Sequence, residues 1–167
     1  LLNEALRHPS IAGRRSYQRL EFLGDRVLGV VIAEALLCAF DDAAEGDLAV
    51  RLNELVRRET LASVASDIGI APYVIMSAGE ERTGGRGKPT ILADICEALI
   101  GALYLDGGLG PAKAFVMRHW DTRLEAAANA GKDSKTQLQE WAQARGMAPP
   151  TYSEIACMGP PHDPEFT

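Results

Sequence analysis

A hydrophobic helix that carries two carboxylates constrains this chain more than any other feature. Over residues 20–40 almost every side chain is apolar or small, a composition that buries a helix on most of its faces. Glu21 and Asp25 lie four residues apart in this stretch, so a helix projects both onto one face. Because an unpaired buried carboxylate is costly, the pair requires protonation, a metal ion or a cationic partner such as Arg19 or Arg26.

A second helix of the same character is predicted over residues 89–106. Asp94 and Glu97 lie three residues apart in it and therefore share a face. Each acidic helix also contains a glycine near its acids, Gly24 in the first and Gly101 in the second. Since glycine inside a helix costs about 1 kcal/mol relative to alanine, these positions indicate close packing or access beside the acids.

Four carboxylates come together if the two helices pack against each other. Oxygen ligands suit a hard cation such as Mg²⁺ or Mn²⁺, whereas zinc would favour His or Cys. A di-iron site is not expected, because no histidine lies three residues after a glutamate, and Cys96 is interpreted as a core residue. Two interpretations stay open: a metal cluster that cuts phosphodiesters, and acids that each pair with an arginine at a helix end.

The length and charge of the chain limit its organisation and partners. At 167 residues it can form one domain with a substantial core and a small appendage. A net charge of −6 argues mildly against a protein that mainly coats nucleic acid, because phosphate binding depends on Lys and Arg. Local basic clusters, including the segment 82–88, remain candidate contacts.

The apolar runs and cysteines predict a soluble protein of the cytoplasm. The longest apolar run, residues 27–40, is shorter than the roughly 20 residues that cross a bilayer, and it contains Glu34. No leader-like segment is found, and Cys38, Cys96 and Cys157 are scattered without a CxxC pattern. We therefore expect no membrane partner.

The pattern of the chain predicts two domains. Helical periodicity extends over residues 1–128, and a small, weakly patterned linker follows at 129–133. Residues 134–167 give one helix, one strand and the start of another, which cannot bury a core. We therefore expect that residues precede Leu1 and that the chain stops within the second domain.

Longer motifs around the acids resemble the ribonuclease III family. Its signature is similar to QRLEFLGDRVLG at residues 18–29, and its second block is similar to GEERTGG at 79–85 with ILADICEALIG at 91–101. Beyond the linker, residues 133–141 and 150–166 resemble the first half of a double-stranded RNA-binding domain. The resemblance thus covers nearly the whole chain.

The resemblance implies a mainly α protein: an all-helical endonuclease domain that forms a homodimer, followed by a truncated α+β double-stranded RNA-binding domain. The implied activity is metal-dependent hydrolysis of phosphodiester bonds in double-stranded RNA, leaving 5′-phosphate and 3′-hydroxyl ends, in the processing of ribosomal RNA precursors and other transcripts. The alternative is a non-catalytic scaffold of the same fold that binds double-stranded RNA. A third interpretation, a metabolic enzyme with a carboxylate-bound metal, predicts no response to duplex RNA.

The resemblance also assigns roles to the acids. The family's metal-binding acids match Glu21, Asp25, Asp94 and Glu97, of which Asp25 and Glu97 are expected to be catalytic. Glu45 matches a further acid that supports metal binding or catalysis. Mg²⁺ is the expected cofactor, with Mn²⁺ as its substitute.

Four other positions match family residues that contact partners. Phe22 matches a residue that packs across the dimer interface. Gln139, Gln143 and His162 match residues that contact the shallow minor groove of A-form RNA, where shape and 2′-hydroxyls are read more than sequence.

Two residues depart from the family pattern. Gln18 replaces a usual glutamate, and Arg26 stands where serine is frequent. The positive charge of Arg26 lies next to Asp25, so we expect an ion pair between them when no metal is bound.

Overall fold

The structure is a computed structural model that describes residues 1–13, 15–130, 138, 141–143, 145–151, 157–158 and 165–166. Its internal contacts divide the chain into two units, Leu1–Asn129 and Ala130–Thr167, and each is considered by itself. This division lies one residue after the predicted end of the first domain.

The described residues are mainly helical, as predicted. The helices are α1 (Leu2–Ala5), α2 (Gln18–Ala39), α3 (Glu45–Val56), α4 (Arg58–Ile68), α5 (Ala78–Arg82), α6 (Pro89–Gly107) and α7 (Leu109–Ala130). Short 3-10 turns occupy Ala71–Tyr73 and Gly85–Gly87. None of the helices that the structure describes is long and apolar enough to cross a membrane.

The glycines and polar residues of the segment 79–88 predict a loop, but the structure forms the helix α5 and a 3-10 turn there. Ser77 precedes α5, and its hydroxyl accepts a hydrogen bond from the backbone N–H of Glu80. Ser-Ala-Gly-Glu at residues 77–80 has the Ser-x-x-Glu spacing of a capping box. A local signal for this short helix was therefore present in the sequence.

Helix α6 lies at the centre of the first unit. One set of its side chains packs in the larger apolar core with α2, α4 and α7; this set includes Leu92, Cys96 and Ile100. Another set, including Ile91 and Ile95, packs in a second core with α1 and the start of α2. Burial on opposite sides explains why α6 is apolar around most of its circumference.

Helices α2 and α6 cross in close contact at two glycines. A Cβ atom added to Gly24 would lie 1.8 Å from the backbone oxygen of Glu97. A Cβ atom added to Gly101 would lie 2.2 Å from the backbone oxygen of Leu20. The expectation of a packing reason for both glycines is confirmed, because any side chain there would force the helices apart.

Trp120 connects α7 to the α3–α4 side of the core. Its ring is fully buried, and its indole Nε1–H donates a 2.8 Å hydrogen bond to the backbone oxygen of Leu55. This bond satisfies a carbonyl near the C-terminus of α3, where the helix leaves such groups unpaired. The contact fixes α7 against the core while α6 stays central.

The second unit is described only in part. Leu138 and residues 141–143 are helical, and strand β1 (Cys157–Met158) pairs antiparallel with β2 (Glu165–Phe166). Helix α7 extends to Ala130, so the first two residues of the predicted linker are helical, and 131–133 lie outside the described residues. The truncated RNA-binding domain stays a prediction.

We expect Gly24→Ala to destabilise the protein by at least about 2 kcal/mol, because overpacking must separate α2 from α6. Gly29 is the matched control: it lies on the same helix, and an added Cβ meets nothing within 4 Å. Gly29→Ala should stabilise the fold by about 0.5–1 kcal/mol through helix propensity. Urea unfolding of both variants checks this, and equal effects would contradict the proposed close contact.

Candidate active site

The glycine crossing brings the acidic faces of α2 and α6 together. The pKa of Glu97 is raised to about 8, chiefly by burial and then by the neighbouring charges of Asp25, Glu21 and Asp94, in that order. The nearby guanidinium of Arg26 opposes this rise. The four acids that sequence spacing selected therefore act on one another as one cluster.

Glu21 belongs to the same cluster. Burial raises its pKa above the ordinary value, with further contributions from Asp94 and Asp25. Within the described part of the chain, the side chains of Glu21 and Glu97 have no hydrogen-bonding partner. Glu21 and Glu97 are thus partly buried carboxylates that lie near other carboxylates and have no hydrogen-bond donor. This arrangement is costly, and added positive charge would relieve it.

Asp94 is held by a tyrosine that sequence analysis did not select. The Tyr17 hydroxyl donates a 3.0 Å hydrogen bond to Asp94 Oδ2. Tyr17 is 3% exposed, and burial and the Asp94 charge raise the pKa of its hydroxyl, so it remains a protonated donor. Tyr17 lies one helical turn before Glu21, and this spacing is the sequence signal that would have placed it on the acidic face.

Asp25 is paired with its neighbour in sequence. Arg26 Nη1 forms a close ion pair with Asp25 Oδ2, which confirms the expected pairing. The same guanidinium lies over the ring of Phe22, 5.9 Å from its centroid. Both charged side chains are accessible to water, with 71% of Arg26 and 41% of Asp25 exposed.

The donor chemistry of the cluster fits a hard divalent cation. Carboxylate oxygens are ligands that Mg²⁺ and Mn²⁺ accept, and a positive ion would relieve the repulsion that raises the pKa values of Glu21 and Glu97. Cys96 is unsuitable as a ligand, because it is fully buried and burial raises the pKa of its thiol to about 12. Among the described residues, however, no three His, Cys, Asp or Glu side chains already stand in a metal-ligating arrangement.

Two of the four acids have a partner within the chain. Tyr17 donates a hydrogen bond to one oxygen of Asp94, and Arg26 pairs with one oxygen of Asp25. The four carboxylates also repel one another when no cation lies between them. The structure therefore gathers the four acids at the α2–α6 crossing and gives two of them a partner of their own.

Basic residues of the segment 82–88 bind backbone and carboxylate oxygens of the fold immediately before α6. Arg86 Nη1 donates to the backbone oxygens of Ala71 (3.2 Å), Pro72 (3.0 Å) and Val74 (2.6 Å). Its Nε–H donates a 2.8 Å hydrogen bond to Glu81 Oε1, and Lys88 Nζ lies 2.5 Å from Glu80 Oε1. Two of the three cations in this candidate RNA-contact cluster are therefore engaged within the fold.

The other predicted residues lie outside the four-acid cluster. Glu45 is the exposed first residue of α3, and no described contact joins it to the four acids. Phe22 lies on α2 and is 70% exposed. Gln143 is helical and exposed, whereas Gln139 and His162 lie outside the described residues.

Comparison with known proteins decides the family. A family model described as ribonuclease-III-like matches residues 1–124. A ribonuclease 3 from Azorhizobium caulinodans is 53% identical over 91% of this chain and 65% of its own length. A ribonuclease 3 from Dinoroseobacter shibae is also 53% identical, over 100% of this chain and 74% of its own. The chain belongs to the ribonuclease III family.

Solved structures agree with this relationship. The nuclease domain of ribonuclease III from Campylobacter jejuni matches with a TM-score of 0.71 and 40% identity, over 72% of this chain and 85% of that one. Dicer from Pichia stipitis matches with a TM-score of 0.61 and 28% identity, over 88% of this chain and 68% of that one. The all-helical nuclease fold inferred from sequence is confirmed.

The ribonuclease III relationship also bears on the competing functions. Relatives whose sequences are 53% identical to this chain are named ribonuclease 3. All four acids are present in this chain. The prediction of an endoribonuclease for double-stranded RNA is therefore supported, and the non-catalytic scaffold is not favoured. The assignments of the individual site residues stay predictions.

The raised pKa of Glu97 predicts a pH-dependent stability effect. Between its ordinary pKa of 4.5 and about 8, the unfolded chain loses this proton before the folded chain does. Glu97 therefore destabilises the metal-free fold increasingly over that window. We expect Glu97→Gln to raise the melting temperature at pH 8, with no gain near pH 4, measured by calorimetry in chelator.

Glu34→Gln is a matched control for this measurement. Glu34 lies on α2 but pairs with Lys113 at 2.7 Å, outside the acidic cluster. It should show no stabilisation that grows with pH. A gain for Glu97→Gln that is the same at pH 4 and pH 8 would contradict the crowding of the four acids.

Proposed function

We propose that the four-acid cluster hydrolyses phosphodiester bonds in double-stranded RNA with divalent metal ions. The observation that carries this proposal is the meeting of Glu21, Asp25, Asp94 and Glu97 at the α2–α6 crossing, where burial and the charges of the other three acids raise the pKa of Glu97 to about 8. Such crowding of acids is typical of a functional site rather than of a surface ion pair. Membership of the ribonuclease III family supports the reaction class.

The site residues have different roles in this proposal. Glu21, Asp25, Asp94 and Glu97 would hold Mg²⁺, or Mn²⁺ in its place, which would lower the pKa of an attacking water and neutralise the leaving oxygen. Tyr17 orients Asp94 through its 3.0 Å hydrogen bond. Asp25 and Glu97 are the proposed catalytic pair. The expected products carry 5′-phosphate and 3′-hydroxyl ends.

In this proposal, the remaining predicted residues support the metal site or bind the substrate. Glu45 supports the metal site from the start of α3. Gln139, Gln143 and His162 contact the minor groove of the duplex from the RNA-binding segment, where amides and imidazole can pair with 2′-hydroxyls. The substrates are ribosomal RNA precursors and other transcripts with duplex regions.

A homodimer is part of the same proposal. Phe22, Val30 and Leu37 are 70%, 58% and 60% exposed on α2, whereas other large apolar residues of the same helix, such as Leu28 and Ile32, are fully buried. Large apolar side chains exposed along one helix are typical of an interface. The nuclease domain from Campylobacter jejuni has a region involved in dimer formation, which supports a similar use of this surface.

The cytoplasm is the proposed location. Cys38 and Cys96 are both free thiols, as expected in a reducing compartment. Precursor transcripts are available to a nuclease there.

Glu97→Gln tests the site assignment directly. The variant should remain folded and bind duplex RNA, because the substitution is nearly isosteric, and it should cleave at least about a hundredfold more slowly through loss of a metal ligand. Single-turnover cleavage and binding in Ca²⁺ measure the two effects separately. Glu34→Gln, on the outer part of α2, should cleave like the unaltered protein.

Parallel assays on three nucleic acids distinguish this reaction from other nuclease activities. Duplex RNA, duplex DNA and single-stranded RNA are each incubated with Mg²⁺ and with chelator. Only duplex RNA with Mg²⁺ should be cut. Cleavage of DNA, cleavage in chelator, or unchanged cleavage by Glu97→Gln would refute the proposal.

Phe22→Ala is expected to weaken the dimer, because it removes the most exposed large apolar side chain of α2. Sedimentation velocity should show a shift towards monomer at low micromolar concentration. Tyr73→Ala is the control, since Tyr73 is 67% exposed but lies in the 3-10 turn after α4. An equal response of both variants would contradict an interface centred on Phe22.

A further inference from the structure

Two of the four acids already have partners within the chain, and the partners differ in charge. Tyr17 is a neutral donor to Asp94 and is buried. Arg26 brings a full positive charge to Asp25 and is exposed. A divalent ion held by the cluster would compete with the positive charge of Arg26 at Asp25. At Asp94 it would meet only the neutral hydroxyl of Tyr17.

We propose that Arg26 is an internal counter-cation of the acidic cluster, and that a divalent ion must displace it from Asp25 in order to bind. Arg26 thereby lowers the metal affinity of the RNA-free protein. This inference rests on the proposed function, because it assumes that the four acids hold the metal.

The geometry of Arg26 allows displacement without unfolding. Its side chain is 71% exposed, so the guanidinium can return to water at little cost. While it is paired with Asp25, the guanidinium also lies 5.9 Å from the centroid of the Phe22 ring, one turn earlier on α2, and this contact does not depend on Asp25. Tyr17, in contrast, is held in the second core and keeps its bond to Asp94 Oδ2.

The same geometry limits the size of the effect. An ion pair between two side chains that are 71% and 41% exposed is weakened by solvent. We therefore expect removal of the Arg26 charge to tighten metal binding about fivefold, which equals about 1 kcal/mol. A much larger change is not expected from one exposed pair.

The experiment measures metal binding itself rather than cleavage. The RNA-free protein is titrated with Mn²⁺, and free Mn²⁺ is followed by its electron paramagnetic resonance signal; Mg²⁺ is then used as a competitor. Arg26→Gln should bind Mn²⁺ about fivefold more tightly than the unaltered protein. Arg26→Lys keeps the charge and should bind with an affinity within about twofold of it.

Arg19→Gln is the matched control for a general change of charge. Arg19 is exposed on the same helix, and its side chain forms no hydrogen bond or ion pair with a residue that the structure describes. Its removal should change Mn²⁺ affinity by less than about twofold, because a solvated charge that touches no acid is screened. Circular dichroism and sedimentation confirm that the variants retain fold and dimer.

The outcomes separate the inference from the function on which it rests. If Arg26→Gln binds Mn²⁺ no more tightly than the unaltered protein, or if Arg19→Gln matches its gain, Arg26 is not a displaced counter-cation. Weaker binding by Arg26→Gln would show that the arginine supports the site, which also overturns the inference. If the unaltered protein binds no Mn²⁺, the metal-dependent function fails as well.

Discussion

The contact of two helix backbones at Gly24 and Gly101 is the constraint on which the rest of the first unit depends. A Cβ at either position would lie within 2.2 Å of a backbone oxygen of the other helix. Only because both residues lack a side chain can α2 and α6 cross so closely, and the crossing sets the distance between their acidic faces. The conformational cost of glycine in a helix is therefore the cost of assembling the site.

Close approach creates an electrostatic problem that the apolar cores must offset. Four carboxylates gathered between α2 and α6 repel one another, and burial adds to the cost, as the raised pKa values of Glu21 and Glu97 show. The packing of α6 between two cores supplies the compensating free energy. Because the cluster lowers the stability of the fold, we expect it to have a function. Metal-dependent hydrolysis is a reaction that requires such concentrated negative charge.

The sequence predicted the features that depend on local spacing. The predicted limits of the second acidic helix, residues 89–106, lie within one residue of those of α6, because its apolar pattern is long and it begins at a proline. The pairing of Arg26 with Asp25 was also predictable, since the residues are adjacent in the chain. The short helix α5 was missed although a Ser-x-x-Glu signal was present, because glycines in the same segment favoured a loop.

Sequence by itself thus selected the residues that are proposed to carry the chemistry, which are the i, i+4 and i, i+3 acids, and the glycines beside them. Tertiary structure alone decided how those residues are used. Tyr17 reaches Asp94 across 77 positions of the chain, and Arg86 holds backbone oxygens 12 to 15 residues away, which no local pattern encodes. The physical reason is that helix formation follows from neighbouring residues, whereas burial, proximity of charges and the pKa values they shift exist only once separate helices have packed.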